Sequence, residues 1–208
     1  MEIVRNLLTD GLNELEIEPS DSLVHHFEIY LHELKRWNRA YNLTALESNE
    51  DIIKKHFFDS LLYLTFISGE GLSICDAGSG AGFPGVPIAL ARPDLAVTLV
   101  ESSRKKCAFL RNIRKTLSMG NVDVLEMRFE DVSERFFDIA VTRALFSSRD
   151  FISNAGRLIK KGGFLVLSKG PKAEEELKAL PPGTIFEVKT VAVPFTSLQR
   201  NIIKIMMV

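Results

Sequence analysis

Asp76-Ala77-Gly78-Ser79-Gly80-Ala81-Gly82-Phe83-Pro84-Gly85 places four of the chain's thirteen glycines within eight residues, directly after a short apolar run. Without a Cβ, these positions take positive φ and let another molecule approach the backbone closely. A helix expected from Pro84 aims its free amides at whatever sits above the turn. In doubly wound sheets this strand-to-helix turn is where ligands bind.

On either side of the turn the pattern alternates. Residues 72–75, 97–100, 122–125, 138–142 and 164–167 are short apolar runs expected as strands. Between them residues 84–91, 103–117 and 149–160 are expected as helices, an order that demands parallel pairing with helices on both faces. Residues 186–193 and 202–207 have no helix between them and predict an antiparallel hairpin at one edge, for seven strands in all.

Residues 1–70 read differently, as a helical extension packed on a core of residues 71–208. A weak first helix covers residues 2–12. Ser20 caps a second, in which Leu23, Phe27, Tyr30, Leu31, Leu34, Trp37 and Tyr41 recur at helical spacing. Ser48 and Asp51 resemble a capping box for a third that reaches about residue 68.

Composition narrows the class. The chain has 208 residues, 46% of them hydrophobic, with 26 Lys and Arg against 27 Asp and Glu. No stretch is long and apolar enough for a membrane span, and residues 1–10 do not read as a targeting segment. Cys75 and Cys107 are too few for a disulfide framework or a structural zinc site, so a reducing cytoplasm is expected. The four histidines, His25, His26, His32 and His56, lack metal-ligand spacing, and no metal is expected. Charge is uneven: residues 1–70 hold 6 basic and 13 acidic side chains, residues 71–208 hold 20 and 14. Six basic residues fall between Arg104 and Lys115, and Arg157, Lys160, Lys161, Lys169 and Lys172 form a second group. A positive face suits a polyanion, although a solvated helix face gives the same charge run.

The ligand of the glycine turn is read from its neighbours. Gly80-x-Gly82-x-x-Gly85 also fits the dinucleotide fingerprint. Asp76, however, sits two positions before the first glycine, where a pyrophosphate would be repelled. S-adenosylmethionine has no phosphate and carries an ammonium and a sulfonium that favour a nearby carboxylate. Glu101, ending the second strand, is placed to accept ribose hydroxyls, though a helix N-terminus also attracts an acid. Arg128-Phe129-Glu130-Asp131 follows the third strand, where an adenine has a ring and polar neighbours; taken alone, Phe129 reads as a core aromatic.

At this point the chain resembles the class I S-adenosylmethionine-dependent methyltransferases, and within them the bacterial 16S rRNA 7-methylguanosine methyltransferases, the glucose-inhibited division protein B family. The pieces that carry the resemblance span nearly the whole chain. They are Trp37-Asn38-Arg39-Ala40-Tyr41-Asn42-Leu43-Thr44-Ala45, His56-Phe57-Phe58-Asp59-Ser60-Leu61, residues 76–87, Glu101-Ser102-Ser103-Arg104-Lys105-Lys106, Thr142-Arg143-Ala144 and Ser168-Lys169-Gly170. The resemblance implies that Gly78, Phe83, Phe129, Glu130 and Arg143 line the cofactor site, which Gly80, Glu101 and Ser102 complete. Glu101 stands where many members have Asp, a change that keeps the carboxylate. The resemblance also implies a folded small-subunit RNA as partner, methylated at nitrogen seven of a guanine.

The residues agree with that target by exclusion. No Asn-Pro-Pro-aromatic or Asp-Pro-Pro-aromatic tetrapeptide is present to hold an exocyclic amino group, and neither cysteine is placed to attack a pyrimidine. Guanine nitrogen seven has an in-plane lone pair and no proton to lose, so alignment suffices and no catalytic base is assigned. Arg143, Lys169 and Arg200 are candidates for substrate contact, with a salt bridge at the sheet edge as the alternative. His56 and Asp59 fit a helix-to-sheet contact and a place at the cofactor mouth equally. Other readings stay open at this stage: a methyltransferase for another RNA or a small molecule, a nicotinamide-dependent oxidoreductase, and an RNA-gripping protein without chemistry.

Overall fold

The computed structural model describes residues 2–133, 136–143, 147–170 and 173–207. Ala144 and Leu145, expected at the end of the fourth strand, and Lys172 of the second basic group lie outside the described residues. A seven-stranded sheet runs in the order β3-β2-β1-β4-β5-β7-β6. Its strands are β1 (Ser73–Ala77), β2 (Ala96–Glu101), β3 (Val122–Glu126), β4 (Phe137–Arg143), β5 (Ile159–Lys169), β6 (Phe186–Ala192) and β7 (Gln199–Met206). The first five are parallel, and β7 runs antiparallel between β5 and β6, as the helix-free end of the sequence predicts.

Strand alternation serves two cores. Ile74, Val97, Leu99, Ile139, Val141, Val166 and Ile202 face one side, and their neighbours Cys75, Val100, Ala140, Leu165, Leu167 and Ile203 face the other. The first side is covered by helices α1 (Glu2–Glu14), α2 (Asp21–Tyr41), α5 (Gly85–Ala91) and α6 (Arg104–Thr116), and by a helical segment described below. The second is covered by α7 (Ser148–Ala155) and α8 (Ala173–Lys178). The N-terminal helices therefore share one continuous core with the sheet.

Aromatic rings weld that joint. Tyr30 of α2 stacks on Phe57 with centroids 5.1 Å apart and lies 5.6 Å from Phe83 in the glycine turn. Its hydroxyl donates to the Ala81 carbonyl at 2.6 Å. From the same helical lead, Tyr63 donates to the Thr142 carbonyl at 2.7 Å, fixing the end of β4.

Three features depart from the sequence expectation. The third helix is not uniform: α3 (Asn49–Ile52) passes into a π-helical stretch at Ile53–Phe58, then α4 (Asp59–Leu61) and a 3-10 turn at Leu62–Phe66. The expected helix over 149–160 stops at Ala155 and, after a 3-10 turn at Gly156–Leu158, the chain is already in β5. Gly162 (φ +80°) and Gly163 allow this, because they bulge β5 so that Ile159 pairs with Phe137 and Phe164 with Ile139. A Cβ on Gly163 would lie 2.4 Å from the Asp138 carbonyl oxygen. Lastly, α8 was not expected, since Ala173–Lys178 offers almost no apolar periodicity.

The bulge also sets the place of two lysines of the second basic group. Lys160 and Lys161 stand at the start of β5, where Lys160 pairs with Asp138 at 3.0 Å beside the start of β1. The glycine turn lies at the opposite ends of the strands. Lys160 and Lys161 thus do not share a face with Lys105 and Lys106, because a strand, not a helix end, carries them.

Replacing Tyr30 by Phe should test the joint between lead and sheet. It leaves the buried Ala81 carbonyl without its donor, so urea unfolding should show a loss of about 1–3 kcal/mol. An unchanged midpoint would mean the hydroxyl contributes nothing to the turn.

Candidate cofactor and substrate site

The carboxyl ends of β1, β2 and β4 meet at the glycine turn. Gly78 and Ser79 both donate their N–H to the Val100 carbonyl, at 2.9 and 3.0 Å, which ties the turn to β2. Gly78, Gly80 and Gly82 have φ of +73°, +59° and +98°. At Gly82 a Cβ would lie 2.7 Å from the Tyr30 hydroxyl oxygen, whereas at Gly80 it would meet only the Gly78 carbonyl, at 3.9 Å. Gly82 is demanded by packing; Gly80 by conformation, with open space above it.

Two carboxylates brace the turn from below. Asp76 Oδ2 accepts from the Gly85 N–H at 2.9 Å, at the entry to α5. Glu101 Oε2 accepts from the Gly80 N–H at 2.9 Å and its Oε1 from the Ser103 N–H at 2.8 Å. Both readings of Glu101 meet here, since it anchors the start of α6 and touches the turn. Asp76 is wholly buried, and burial pushes its carboxyl up to about 7 despite the opposing Gly85 hydrogen bond.

Arg143, at the end of β4, is held from the helical lead. Its Nη2 donates to the Lys55 carbonyl at 2.8 Å, reaches His56 Nδ1 at 3.0 Å and lies 3.4 Å from Asp59 Oδ2. The guanidinium carbon sits 5.9 Å from the Phe83 ring centroid. The other Asp59 oxygen accepts from Arg200 Nε at 2.8 Å, so Arg200 reaches the site through a buried ion pair. His56 stacks on Phe83 with centroids 4.5 Å apart.

The protonation of His56 follows from its partners. Burial first, and the Arg143 charge second, push it down to about 3. A guanidinium only donates, so Nδ1 must accept and the proton sits on Nε2. Nε2 then donates to Thr44 Oγ1, 2.7 Å away. Thr44 is itself set by the turn after α2, where its N–H donates to Asn38 Oδ1 at 2.8 Å and Asn42 takes the left-handed conformation. The stretch of residues 37–45 thus supplies a hydrogen bond to the site, a link that its own sequence does not reveal because the partner lies twelve residues beyond Thr44.

The remaining expected residues fall as follows. Ser102, next to Glu101, and Glu130 are exposed, while Phe129 is buried with Phe151, ring centroids 6.3 Å apart. Lys169 pairs with Glu176 at 2.9 Å, and Glu176 also accepts from the Ser148 N–H and hydroxyl. Glu176 on α8 was not singled out from the sequence.

Two buried side-chain atoms lack a hydrogen-bond partner among the described residues: Asp76 Oδ1 and Arg143 Nη1. They belong to adjacent strands of this site, one an acceptor and one a donor. Such a pair fits a molecule that presents both an ammonium and a carboxylate, as the amino-acid end of S-adenosylmethionine does.

Comparison with known proteins agrees with this geometry. Residues 23–203 match the family described as GidB, rRNA small subunit methyltransferase G. The chain is 37% identical over 205 residues to the ribosomal RNA small subunit methyltransferase G of Nitrosococcus oceani, covering 98% of this chain and 95% of that one. It is 36% identical to the protein of that name from Neisseria meningitidis, covering 94% and 95%. In fold it is similar to a methyltransferase from Pyrococcus furiosus, with TM-score 0.62, 13% identity, and 86% and 97% coverage. It is also similar to a 16S rRNA methyltransferase from Thermus thermophilus in complex with AdoMet and guanosine, with TM-score 0.56, 21% identity, and 72% and 43% coverage. A match of this extent, on a sheet of this order, means that the chain belongs to the rRNA small subunit methyltransferase G family.

Proposed function

We propose that this protein transfers a methyl group from S-adenosylmethionine to nitrogen seven of a guanine in 16S rRNA, acting on the small ribosomal subunit in the cytoplasm. The observation that carries the choice of atom is the state of the site's titratable groups. His56 is neutral with both nitrogens engaged, and both Asp59 oxygens face arginines. Both thus have their acceptor atoms taken by arginines, and the site's third group, Asp76, is assigned here to the ammonium of the cofactor. A guanine nitrogen seven has no proton to give, so such a site needs only to align the lone pair with the methyl group.

The cofactor supplies an electrophilic methyl on a positively charged sulfur. Around it, Gly80 offers open backbone, Glu101 supplies ribose acceptors in addition to its backbone contacts, and Asp76 and Arg143 take the two charges of the amino-acid end. Phe129 and Glu130 flank the adenine side in this reading. Arg143 is thereby committed chiefly to the cofactor, and Lys169 at the end of β5 is the candidate nearest the substrate.

Methyl transfer to unmodified small subunits, followed by nucleoside mapping, tests the reading. The expected product is 7-methylguanosine in 16S rRNA. A different methylated nucleoside, or no transfer, would overturn it.

Glu101→Gln should weaken cofactor binding in calorimetry by about 1–3 kcal/mol and also lower the melting temperature, because one acceptor for a backbone N–H is lost. A lower melting temperature with unchanged affinity would confine Glu101 to the start of α6.

Asp76 gives a pH dependence with a definite sign. Its folded pKa of about 7 exceeds the ordinary 3.8, so ionising it costs the folded chain stability as pH rises between these values. An ammonium favours the ionised form, so cofactor affinity should rise with pH between about 5.5 and 7, by at most about tenfold per unit. Asp76→Asn should flatten that rise. A profile equally steep in the variant would assign the proton to another group.

A further inference from the structure

Beyond the cofactor site, the helical lead carries a feature that the methyl transfer itself does not use. A cavity of about 720 Å³ opens at the C-terminal end of α2, lined by Lys35, Asn38, Arg39, Asn42 and Thr44 among others. Arg39 is exposed and makes no hydrogen bond or ion pair among the described residues. Lys35 spends its ammonium on a neutral partner, Asn49 Oδ1, at 2.6 Å. A cation near a helix C-terminus is favoured by the dipole, which explains one such residue on its own.

The dipole does not explain the ring beside it. Tyr41, the last residue of α2, is 44% exposed. Trp37 lies 5.5 Å behind it, and Lys105, on the first turn of α6, sits 5.9 Å from its centroid. Lys105 follows Glu101 by four residues, so this corner borders the cofactor turn. The cavity borders the site a second way, since its wall residue Thr44 is the partner of His56, which touches Arg143. Arg39 without a partner among the described residues, Lys35 on a neutral one and Lys105 over an exposed ring suit one kind of partner: a single strand of nucleic acid, with phosphates on the cations and a base on the ring.

We infer that the α2 corner formed by Lys35, Arg39, Tyr41 and Lys105 holds the RNA strand next to the methylated nucleotide, with Tyr41 as a stacking platform and Arg39 and Lys105 as phosphate contacts. This rests on the rRNA reading above and extends it to a surface from the acidic half of the chain. The lead is net negative and Glu47 also lines the cavity, but four of its six basic residues, Arg5, Arg36, Lys54 and Lys55, are each paired with an acid, whereas Lys35 and Arg39 have no acidic partner among the described residues.

The test is single-turnover methylation of unmodified small subunits by the full chain at several salt concentrations, with calorimetry for the cofactor. Arg39→Gln should make the salt slope of subunit binding shallower by about one. Arg39→Gln with Tyr41→Ala should raise the subunit concentration for half-maximal rate about tenfold or more, with plateau rate, cofactor affinity and melting temperature near those of the parent. Lys161→Gln, at the opposite end of the sheet, should change none of these. Parent-like subunit dependence in both Arg39 variants would overturn the corner as an RNA surface while leaving the methyltransferase reading intact. Loss of cofactor affinity in the exposed single variant would also overturn it, by making Arg39 structural. A parent protein that transfers no methyl to subunits would overturn the rRNA reading and the corner with it.

Discussion

The turn from Gly78 to Gly85 is held by three side chains from three different elements, and the rest of the molecule is arranged around that hold. Tyr30 takes a carbonyl from above, while Asp76 and Glu101 take amides from below. A chain segment with alternating positive φ has no ladder of its own, so its buried amides and carbonyls must be satisfied from outside. The identity of Gly82 and Gly85 follows from the same hold. A Cβ at the first would meet Tyr30 and Val86, and at the second Leu99 and Asp76, at distances no packing tolerates. Asp76 shows which effect wins: desolvation outweighs the opposing hydrogen bonds from Gly85 and Ser79 and raises its pKa. Stability alone does not favour a carboxyl there, whereas a positively charged ligand does.

A second constraint joins segments far apart in sequence. Asp59 is 2% exposed and faces Arg143 from β4 and Arg200 from β7. A buried carboxylate between two guanidiniums is weak as a source of stability against apolar packing, but it is demanding about geometry. It requires that the helical lead, the fourth strand and the edge hairpin arrive in one register. The π-helical stretch Ile53–Phe58 is part of that requirement, as it ends directly before Asp59 and carries Lys55 and His56 to the same guanidinium. Arg143 is thus aimed by backbone and side chain together, and Phe83 closes the site against His56.

The legible parts of the sequence were those where local pattern and tertiary need coincide. Alternating apolar runs revealed five parallel strands, and the lack of a helix between residues 193 and 202 revealed the edge hairpin. Glycines spaced two apart after a strand marked the turn. What stayed hidden depends on partners distant along the chain. Tyr63 reads as one more apolar position on a helix, yet its hydroxyl fixes Thr142, seventy-nine residues away. Glu176 lies in a charged run with no apolar spacing, yet it neutralises Lys169. His56 and Asp59 were noticed as a pair, but the π stretch that turns both to Arg143 has no signature in hydrophobic period. Phe129 was legible both ways, and its contact with Phe151 places its ring in the second core.

Charge was the property most easily misread, because it was summed along the chain and acts in space. By halves, the lead is acidic and the body basic. By position on the sheet the division is different. Lys160, at the amino end of β5, is tied to Asp138 and Ser73, and so contributes to closing the lower edge of the sheet. Lys105 lies at the carboxyl end of β2 and meets Tyr41 of the lead across the gap between α6 and α2. The field felt by a polyanion at the cofactor turn is set by charges within about a Debye length, roughly 10 Å. At that range Lys105 and the end of α2 count, and the start of β5 does not. Within the lead most cations are already engaged: Arg5 pairs with Asp21 and Glu28, Arg36 with Glu33, Lys54 with Glu50 and Lys55 with Asp51. An acidic lead and a cationic rim are therefore compatible in one molecule, since the acids of the lead hold most of its own cations while Arg39, at the end of α2, has no acidic partner among the described residues.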